Sequence, residues 1–390
     1  MSVVKLFKCS FEKFLRRSFT MFKVVCILFA FLVIQGGAFA QPESEHDFKE
    51  VIIGFEDRPG QAELEIIDEA KGEIDQEFEI INAVSAKIPE PAVQGMENAE
   101  GIDYVEPDYE AQTLQTIPWG IEQINADQAW DEATGTGIDV AILDTGIDYG
   151  HQDLEVVDGV NTVDGGDYMD YNGHGTHVAG TVAALDNNSG VVGVAPDANL
   201  FAGKVLDDDG SGTTSDIVAG IEWAINNDMD IINMSLGMSQ YSTALEDVCD
   251  EAYYQEDILV VAAAGNDGEG WWWDPDTINY PANYDSVIAV GATDQNNDRA
   301  NFSSVGDNLE IMAPGVDVLS TVPGNDYDEY DGTSMASPHI AGVAALLMDQ
   351  GVYTSPAEVR DRMNDTADEL GDPFYYGNGI VNTTEALDIH

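Results

Sequence analysis

Cysteine is scarce in this chain, with three residues among 390. Three are too few for a framework of disulfide bonds, which excludes the small disulfide-stabilised folds of secreted domains. Cys9 and Cys26 both lie within the first 40 residues, so Cys249 stands alone in the remainder. Its surroundings, from Leu245 to Ala252, predict a helix that uses the thiol as a small apolar side chain rather than as a nucleophile.

Basic residues are also few, because 14 Lys and Arg stand against 73 Asp and Glu, giving a net charge of −59. Nucleic acids and anionic membrane surfaces repel such a chain, which excludes both as partners. The acids are scattered rather than gathered in one tail. This pattern favours a halophilic source, since the Debye length falls to ~3 Å at ~1 M salt. The alternative is an acidic surface that serves solubility or a basic partner.

Long apolar runs are absent except for Val24–Ile34, whose 11 residues are too few to cross a hydrocarbon core of ~30 Å. Six of the 14 basic residues precede this run. Ala38-Phe39-Ala40 follows it and has small residues at the two positions that a signal peptidase recognises. Residues 1–40 therefore predict a secretory signal, and we expect a secreted, extracellular protein that is soluble and free of the membrane once the signal is removed. The alternative is an anchoring helix that stays. Arg16-Arg17 resembles a twin-arginine export motif, which a start at Met21 would remove.

Two modules follow the predicted signal, the first of them a short segment at 48–113. With apolar residues making up 44% of the whole chain, there is enough apolar material for folded cores. The patterning of the first module predicts β-α-β-β-α-β, a small ferredoxin-like α+β sheet. The elements expected are a strand at Phe48–Phe55, a helix at Gln61–Lys71, a strand pair within Phe78–Ile88, a helix at Pro91–Asn98 and a strand at Ile102–Val105.

Strands and helices alternate in the second module, from Ile117 onward. Short, continuous apolar runs predict buried parallel strands, and longer periodic segments between them predict helices. The expected strands are Asp139–Leu143, Leu200–Val205, Ile231–Met234 and Ile258–Ala264, with helices at His174–Leu185, Thr214–Asn226, Tyr241–Gln255 and Met335–Asp349. This alternation predicts one α/β domain of about 270 residues with a doubly wound, mostly parallel sheet.

Three polar residues stand where an open α/β sheet places its site, at strand ends and helix starts. Asp144 ends a buried strand, and His174 and Ser334 each begin a helix beside glycine. Serine becomes a nucleophile when an imidazole takes its proton, and a carboxylate must orient that imidazole. Taken singly, the three could be a helix cap, a core histidine and an N-cap. The pair His174 and His177 lacks the spacing of a zinc hydrolase, and His151, His177 and His339 are interpreted as structural.

The three residues sit in segments that resemble the subtilisin family of serine proteases, the subtilases. The matching segments are Ala141–Asp148, Asn172–Gly180 and Gly332–His339, and the resemblance extends from Gln115 to about Leu387. Ile81–Lys87 and Asp103–Asp108 resemble pieces of the family's inhibitory propeptide. The resemblance implies a signal peptide at 1–40, an inhibitory propeptide at 41–113 and a subtilisin-like peptidase domain at 114–390. It also implies self-cleavage near Thr113-Leu114, after which the propeptide acts as an intramolecular inhibitor.

The resemblance implies a role for each site residue of a broad-specificity endopeptidase acting on proteins or peptides. Ser334 would be the nucleophile, His174 the general base and then acid, and Asp144 the residue that orients it. Asn266 and the Ser334 N–H would hold the oxyanion. Substrate would pair as a strand with Gly210, Ser211 and Gly212 and with Ser235, Leu236 and Gly237. The primary pocket would take its walls from Ser235–Gly237 and Ala263–Gly265 and its base from near Asn279. The loop Asp267–Ile278 departs from the family pattern at Trp271–Trp273, which could be a substrate platform or a loop that packs on itself.

The resemblance also implies a structural Ca²⁺, since hard oxygen donors on a tight loop suit this ion. Side-chain ligands would come from Gln115, Asp153 and Asn187, and carbonyl ligands from Leu185, Ser189 and Val191. The acidic run Asp207–Asp209 is interpreted as a solvated loop rather than a second ion site. We expect a monomer. The alternative function is that of a catalytically inactive, subtilase-like binding module.

Overall fold

A computed structural model describes residues 48–109, 115–270, 276–353 and 355–389. The chain divides into two compact units, the first ending at Ala111 and the second beginning at Gln112. The predicted signal at 1–40, the predicted cleavage near Thr113-Leu114 and Trp271–Trp273 lie outside the described residues.

The described part of the first unit is a four-stranded antiparallel sheet with two helices. Its elements are β1 (Phe48–Phe55), α1 (Gln61–Glu69), β2 (Glu73–Glu77), β3 (Ala83–Pro89), α2 (Glu90–Met96) and β4 (Ile102–Pro107), and the strand order is β2-β3-β1-β4. The order of elements is the one that the sequence predicts. The predicted strand pair within Phe78–Ile88 is wrong in one respect, because β2 ends at Glu77. This edge strand reads Glu-Ile-Asp-Gln-Glu and is mostly exposed, so it carries too little apolar signal to be recognised.

The second unit is built on a parallel sheet, which confirms the predicted doubly wound α/β fold. In its described residues the strands are β5 (Asp139–Asp144), β6 (Val156–Asn161), β7 (Asn199–Lys204), β8 (Ile231–Met234), β9 (Leu259–Ala263), β10 (Ile288–Thr293) and β11 (Ile311–Pro314). Their order is β11-β10-β9-β8-β5-β7-β6, and each neighbouring pair is parallel. A separate antiparallel hairpin is formed by β12 (Val318–Val322) and β13 (Asp326–Tyr330).

Helices cover the sheet of the second unit. They are α3 (Trp119–Gln123), α4 (His174–Ala183), α5 (Thr214–Asn226), α6 (Thr243–Tyr254), α7 (Thr333–Gln350), α8 (Pro356–Asp365), α9 (Pro373–Tyr376) and α10 (Thr383–Ala386). α7 is buried from Met335 to Leu347, so it forms the centre of the core. Cys249 is fully buried in α6, as its surroundings predict. Within the described ranges, no helix has the length and apolarity needed to cross a bilayer.

The topology fixes where a site can form. β5 pairs with β8 on one side and β7 on the other, so its carboxyl end lies at the point where the winding changes direction. Asp144 is the last residue of β5 and is fully buried. The helices α4 and α7 begin with His174 and Thr333, which places two of the three predicted catalytic residues at or next to helix starts.

Candidate active site

Asp144 and His174 form a direct hydrogen bond at the carboxyl end of β5. The distance from His174 Nδ1 to Asp144 Oδ1 is 2.7 Å, and the same oxygen accepts the Thr145 N–H at 2.8 Å. The carboxylate is buried, whereas 29% of the His174 side chain is exposed. The bond therefore fixes one ring nitrogen inside the protein and leaves the opposite side of the ring available to a reactant.

The environment of His174 favours its protonated form. Burial lowers the pKa of His174, but the charge of Asp144, its hydrogen bond and the charge of Asp170 together raise that pKa above 6.5. A carboxylate beside an imidazole stabilises the imidazolium in this way. The arrangement therefore suits a base that must hold a proton briefly during a reaction.

The other three described histidines of this unit, His151, His177 and His339, are buried. Burial lowers the pKa of His177 to about 4 and that of His339 to about 4. His177 Nε2 lies 2.9 Å from the Val318 carbonyl oxygen and its ring stacks on Tyr330. His151 is also buried, with Nε2 3.2 Å from the Asp326 carbonyl oxygen. These contacts fit the structural role predicted for all three rings.

Ser334 occupies the first turn of α7, beside the segment predicted to bind substrate. Its hydroxyl donates to the Ser235 carbonyl oxygen at 3.1 Å, and the Ser235 hydroxyl donates to the Ser334 carbonyl oxygen at 2.7 Å. The serine is therefore tied to the end of β8 in the free protein. Its hydroxyl must turn away from Ser235 before an imidazole can accept its proton.

Two hydrogen-bond donors converge beside Gly332. The Asn266 Oδ1 accepts both the N–H and the hydroxyl of Thr333 at 3.0 Å, which directs its Nδ2 elsewhere. A side chain on Gly332 would begin 3.6 Å from that Nδ2 and 3.5 Å from the Ser334 nitrogen. Gly332 has φ +154°, a conformation that glycine tolerates. The missing side chain leaves a space that both donors border, as an oxyanion site requires.

A cavity of about 420 Å³ brings His174 together with the two segments predicted to pair with substrate. Its lining includes Gly210, Ser211 and Gly212 on one side and Ser235, Leu236 and Gly237 on the other. Further lining residues were not singled out from the sequence: Thr145, Asn172, Leu206, Ile217 and Met238. Leu206, Ile217 and Met238 come from separate elements, and no short motif marks them.

Asn279 lies between the two predicted walls of the primary pocket. A side chain on Gly265 would begin 2.3 Å from Asn279 Nδ2, and one on Gly237 would begin 3.1 Å from its Cβ. The amide is held by Asp267, whose Oδ2 accepts it at 2.9 Å. The structure thus places Asn279 next to Gly237 and Gly265, and its position at the base of the pocket stays a prediction.

The residues predicted to hold Ca²⁺ form one hydrogen-bonded cluster. Gln115 Nε2 lies 2.6 Å from the Leu185 carbonyl oxygen and 3.0 Å from that of Val191, while Asn187 Nδ2 lies 2.8 Å from Asp153 Oδ1. The Ser189 N–H donates to Asn187 Oδ1 at 2.9 Å. Three carboxylate or carbonyl oxygens thus lie within hydrogen-bond distance of two amide groups that can turn their own oxygens inward.

The loop of this cluster is shaped around oxygen atoms. Gly190 has φ +62°, and a side chain there would begin 2.4 Å from Asp153 Oδ2. Among the described residues no group of three or more His, Cys, Asp and Glu could hold a metal. A calcium site does not need several such side chains. Here amide and carbonyl oxygens would join the single carboxylate of Asp153, and such a donor set fits Ca²⁺.

Comparisons with known proteins agree with this geometry. The sequence profile of the Subtilase family matches residues 135–379. The chain is 44% identical to Subtilisin NAT of Bacillus subtilis subsp. natto over 375 residues, which is 93% of this chain and 98% of that protein. It is 56% identical to Subtilisin DY of Bacillus licheniformis over 274 residues, 70% of this chain and 99% of that protein. It is 44% identical to Alkaline elastase YaB of Bacillus sp. (strain YaB) over 370 residues, 93% and 96% of the two chains.

Proposed function

The chain belongs to the subtilase family of serine endopeptidases, and we propose that it is a secreted, salt-adapted enzyme of broad specificity whose catalytic triad is Asp144, His174 and Ser334. The observation that carries the proposal is the 2.7 Å hydrogen bond between buried Asp144 and His174. A second observation supports it: the first turn of α7 carries Ser334, and the Ser334 nitrogen and Asn266 Nδ2 both border the space beside Gly332.

The geometry supports acyl transfer through the following steps. The Ser334 hydroxyl turns from the Ser235 carbonyl toward His174, which takes its proton as the oxygen attacks the scissile carbonyl. The negative charge that develops on the carbonyl oxygen is held by Asn266 Nδ2 and the Ser334 N–H. His174 then gives its proton to the leaving amine, and water releases the acyl group by the same steps. Asp144 Oδ1 accepts the hydrogen bond from His174 Nδ1–H throughout and does not take the proton.

Substrate recognition follows from the cavity beside His174. The exposed Gly210–Gly212 segment and the Ser235–Gly237 segment flank it and offer backbone groups to an extended peptide. Backbone pairing gives affinity without demanding a sequence, which supports broad action on proteins or peptides. Asn279 would set the depth of the primary pocket.

We further propose that the chain is exported and matures by its own activity. Residues 1–40 would be the secretory signal, and residues 41–113 the propeptide that inhibits the peptidase domain at 114–390. The antiparallel fold found at 48–107, with its elements in the order that the sequence patterning predicts, supports this division. The mature enzyme would act outside the cell as a monomer, without nucleic acid or membrane as partner.

We also propose that Gln115, Asp153, Leu185, Asn187, Ser189 and Val191 hold one structural Ca²⁺. The ion would bind the folded state alone and so stabilise it. The loop and Asp153 would supply the oxygen donors, and catalysis would not involve the ion.

Replacement of Ser334 tests the proposed function. Ser334→Ala should fold with an unchanged thermal midpoint but lose peptidase activity by ~10⁴-fold or more. Asn266→Ala should lose ~10²–10³-fold. Both magnitudes come from other members of this family rather than from the present geometry. Because self-cleavage would use the same site, the Ser334→Ala precursor should also stay in one piece when no other protease is present.

The matched control is Ser355→Ala, which removes a serine that caps α8 away from the site and should keep activity. More than a tenth of the activity in Ser334→Ala would refute the assignment. An unaltered chain that binds peptides but never cleaves them would instead support the inactive binding module.

A further inference from the structure

Asp170 is a buried carboxylate that the reaction steps above do not use. It is 1% exposed and lies in the loop before α4. Oδ1 accepts the Thr145 hydroxyl at 3.0 Å and the N–H groups of Asn172 and Gly173 at 2.9 Å each. Oδ2 accepts the N–H of Thr176 at 2.9 Å and its hydroxyl at 2.6 Å. Five donors saturate a carboxylate, which has about four lone-pair sites.

One group of these bonds builds the start of α4. The N-cap of this helix is Gly173, which has φ +104° and no side chain to accept a first-turn N–H. Asp170 takes over that function from three residues upstream by accepting the Thr176 N–H. The His174 N–H is held by Asn172 Oδ1 at 3.2 Å, and the Gly175 N–H by the Thr145 hydroxyl at 2.9 Å. The turn that carries His174 is therefore anchored by side chains outside the helix.

The remaining bond reaches the turn that follows β5. The Thr145 hydroxyl donates to Asp170 and accepts from Gly175, while the Thr145 N–H donates to Asp144 Oδ1. The Thr145 carbonyl in turn accepts the buried Lys204 ammonium at 2.7 Å. Asp144 and His174 thus lie at two ends of one buried network, and Asp170 joins the strand side to the helix side.

We propose that Asp170 is a positioning residue, whose carboxylate holds the turn after β5 against the first turn of α4 so that Asp144 and His174 are aligned before substrate binds. The proposal rests on the triad of the proposed function. Misplacement of a reacting group by ~1 Å can lower a rate ~10²-fold, so a fixed alignment affects the chemical step more than binding. The charge of Asp170 also favours the imidazolium that forms as Ser334 loses its proton.

The titration of His174 gives a readout of that charge. The charged or titratable groups around His174 and Asp170 are Asp144 at the end of β5, His177 on α4, Tyr330 on β13 and, through Thr145, Lys204 at the end of β7. The two carboxylates both raise the pKa of His174. Removing the charge of Asp170 should therefore lower that pKa and move the acid limb of kcat/KM to lower pH.

Asp170→Asn is the first test, because it keeps the size of the side chain and removes its charge. Both oxygens of Asp170 accept N–H groups, so the amide nitrogen introduced at this position would meet a donor whichever oxygen it replaces. The variant therefore also loses hydrogen bonds of the network. We expect kcat to fall ~10-fold or more with KM changed less than ~2-fold, and the acid limb to move to lower pH. The matched control is Asp148→Asn, a buried carboxylate that accepts the N–H groups of Gly150 and Gly324. This control should lower the thermal midpoint while leaving the acid limb in place.

Thr145→Val tests the same alignment if Asp170→Asn does not fold. It keeps the carboxylate and its charge but removes the hydroxyl that bridges Asp170 and Gly175. We expect a lower kcat with the acid limb unchanged, whereas KM is not diagnostic here because Thr145 lines the cavity beside His174. Full kcat in Thr145→Val, or an Asp170→Asn enzyme with an unmoved acid limb and the kcat of Asp148→Asn, would overturn the proposal. Failure of the proposed function is seen separately, as activity that survives in Ser334→Ala.

Discussion

At the scale of single residues, burial decides which polar groups do chemistry. His174 is partly exposed and paired with a carboxylate, so its pKa is raised. His177 lies one turn further along the same helix and is fully buried, and this burial lowers its pKa to about 4 even though the Val318 carbonyl oxygen beside its ring acts in the opposite direction. Two histidines three residues apart on one helix therefore have pKa values shifted in opposite directions. Of these two rings, His174 is the one suited to exchange a proton near neutral pH.

The raised pKa of His174 predicts how activity depends on pH. The base must be neutral to accept the proton of Ser334, so activity falls as pH falls through the pKa of His174. Because that pKa lies above 6.5, the acid limb of kcat/KM should have its midpoint above pH 6.5. Peptide hydrolysis measured from pH 5 to 10 at fixed salt gives the midpoint. A midpoint well below 6.5, with the enzyme folded throughout, would contradict the pairing of His174 with Asp144.

At the scale of elements, the loop proposed to hold Ca²⁺ is bonded to two distant parts of its unit. Leu185–Val191 is held on one side by Gln115 and on the other by Asp153, residues that lie far apart in the chain. A cation shared by these donors would join three segments that otherwise meet through hydrogen bonds alone. Such a link stabilises the folded state by mass action.

Chelation tests this loop. EDTA at matched ionic strength should lower the thermal midpoint of the mature enzyme and speed its self-digestion, since the ion binds only the folded state. Asp153→Asn should show the lower midpoint without chelator. Asp186→Asn is the matched control, because it changes a neighbouring acid that is not among the proposed ligands. A midpoint that EDTA leaves unchanged would rule out the calcium site.

The elements also show how far the sequence alone could lead. Ile231–Met234 and Thr214–Asn226 have the predicted bounds, since one is a short segment with three apolar residues of four and the other has a capping box at Thr213. β2 was missed because its residues are polar and exposed. At the site, short motifs mark Asp144, His174 and Ser334, and the structure brings the first two into contact. Asp170 could not be predicted, because its partners are set by how the loop folds back on Thr145 rather than by spacing.

At the scale of the whole molecule, charge is the dominant feature. From Ile117 onward there are 51 acids and four basic residues. Each of the four forms an ion pair, namely Lys204 with Asp208, Arg299 with Glu269, Arg360 with Glu310 and Arg362 with Asp388. Four basic residues cannot balance 51 acids, so repulsion among the remaining negative charges opposes folding. Net stability is only ~5–15 kcal/mol, so this repulsion can decide whether the unit folds.

A salt series tests this balance. Activity and thermal midpoint should rise together up to at least ~1–2 M NaCl, because the Debye length shrinks from ~30 Å at ~0.01 M to ~3 Å at ~1 M. Calcium is kept in excess so that its site does not vary. The alternative, an acidic surface that serves only solubility or a basic partner, predicts a flat or falling curve. Full activity with an unchanged midpoint at ~0.01 M salt would favour that alternative.

Covalent labelling tests the central claim, that Ser334 is the nucleophile activated by His174. The mature enzyme is treated with an organophosphate, and the adduct is located by mass spectrometry while peptidase activity is followed. We predict one adduct per chain, on Ser334, forming in step with the loss of activity. The reaction should slow strongly in His174→Ala and be absent in Ser334→Ala. Complete inactivation with the adduct on another residue, or full peptidase activity after Ser334 is labelled, would contradict the account.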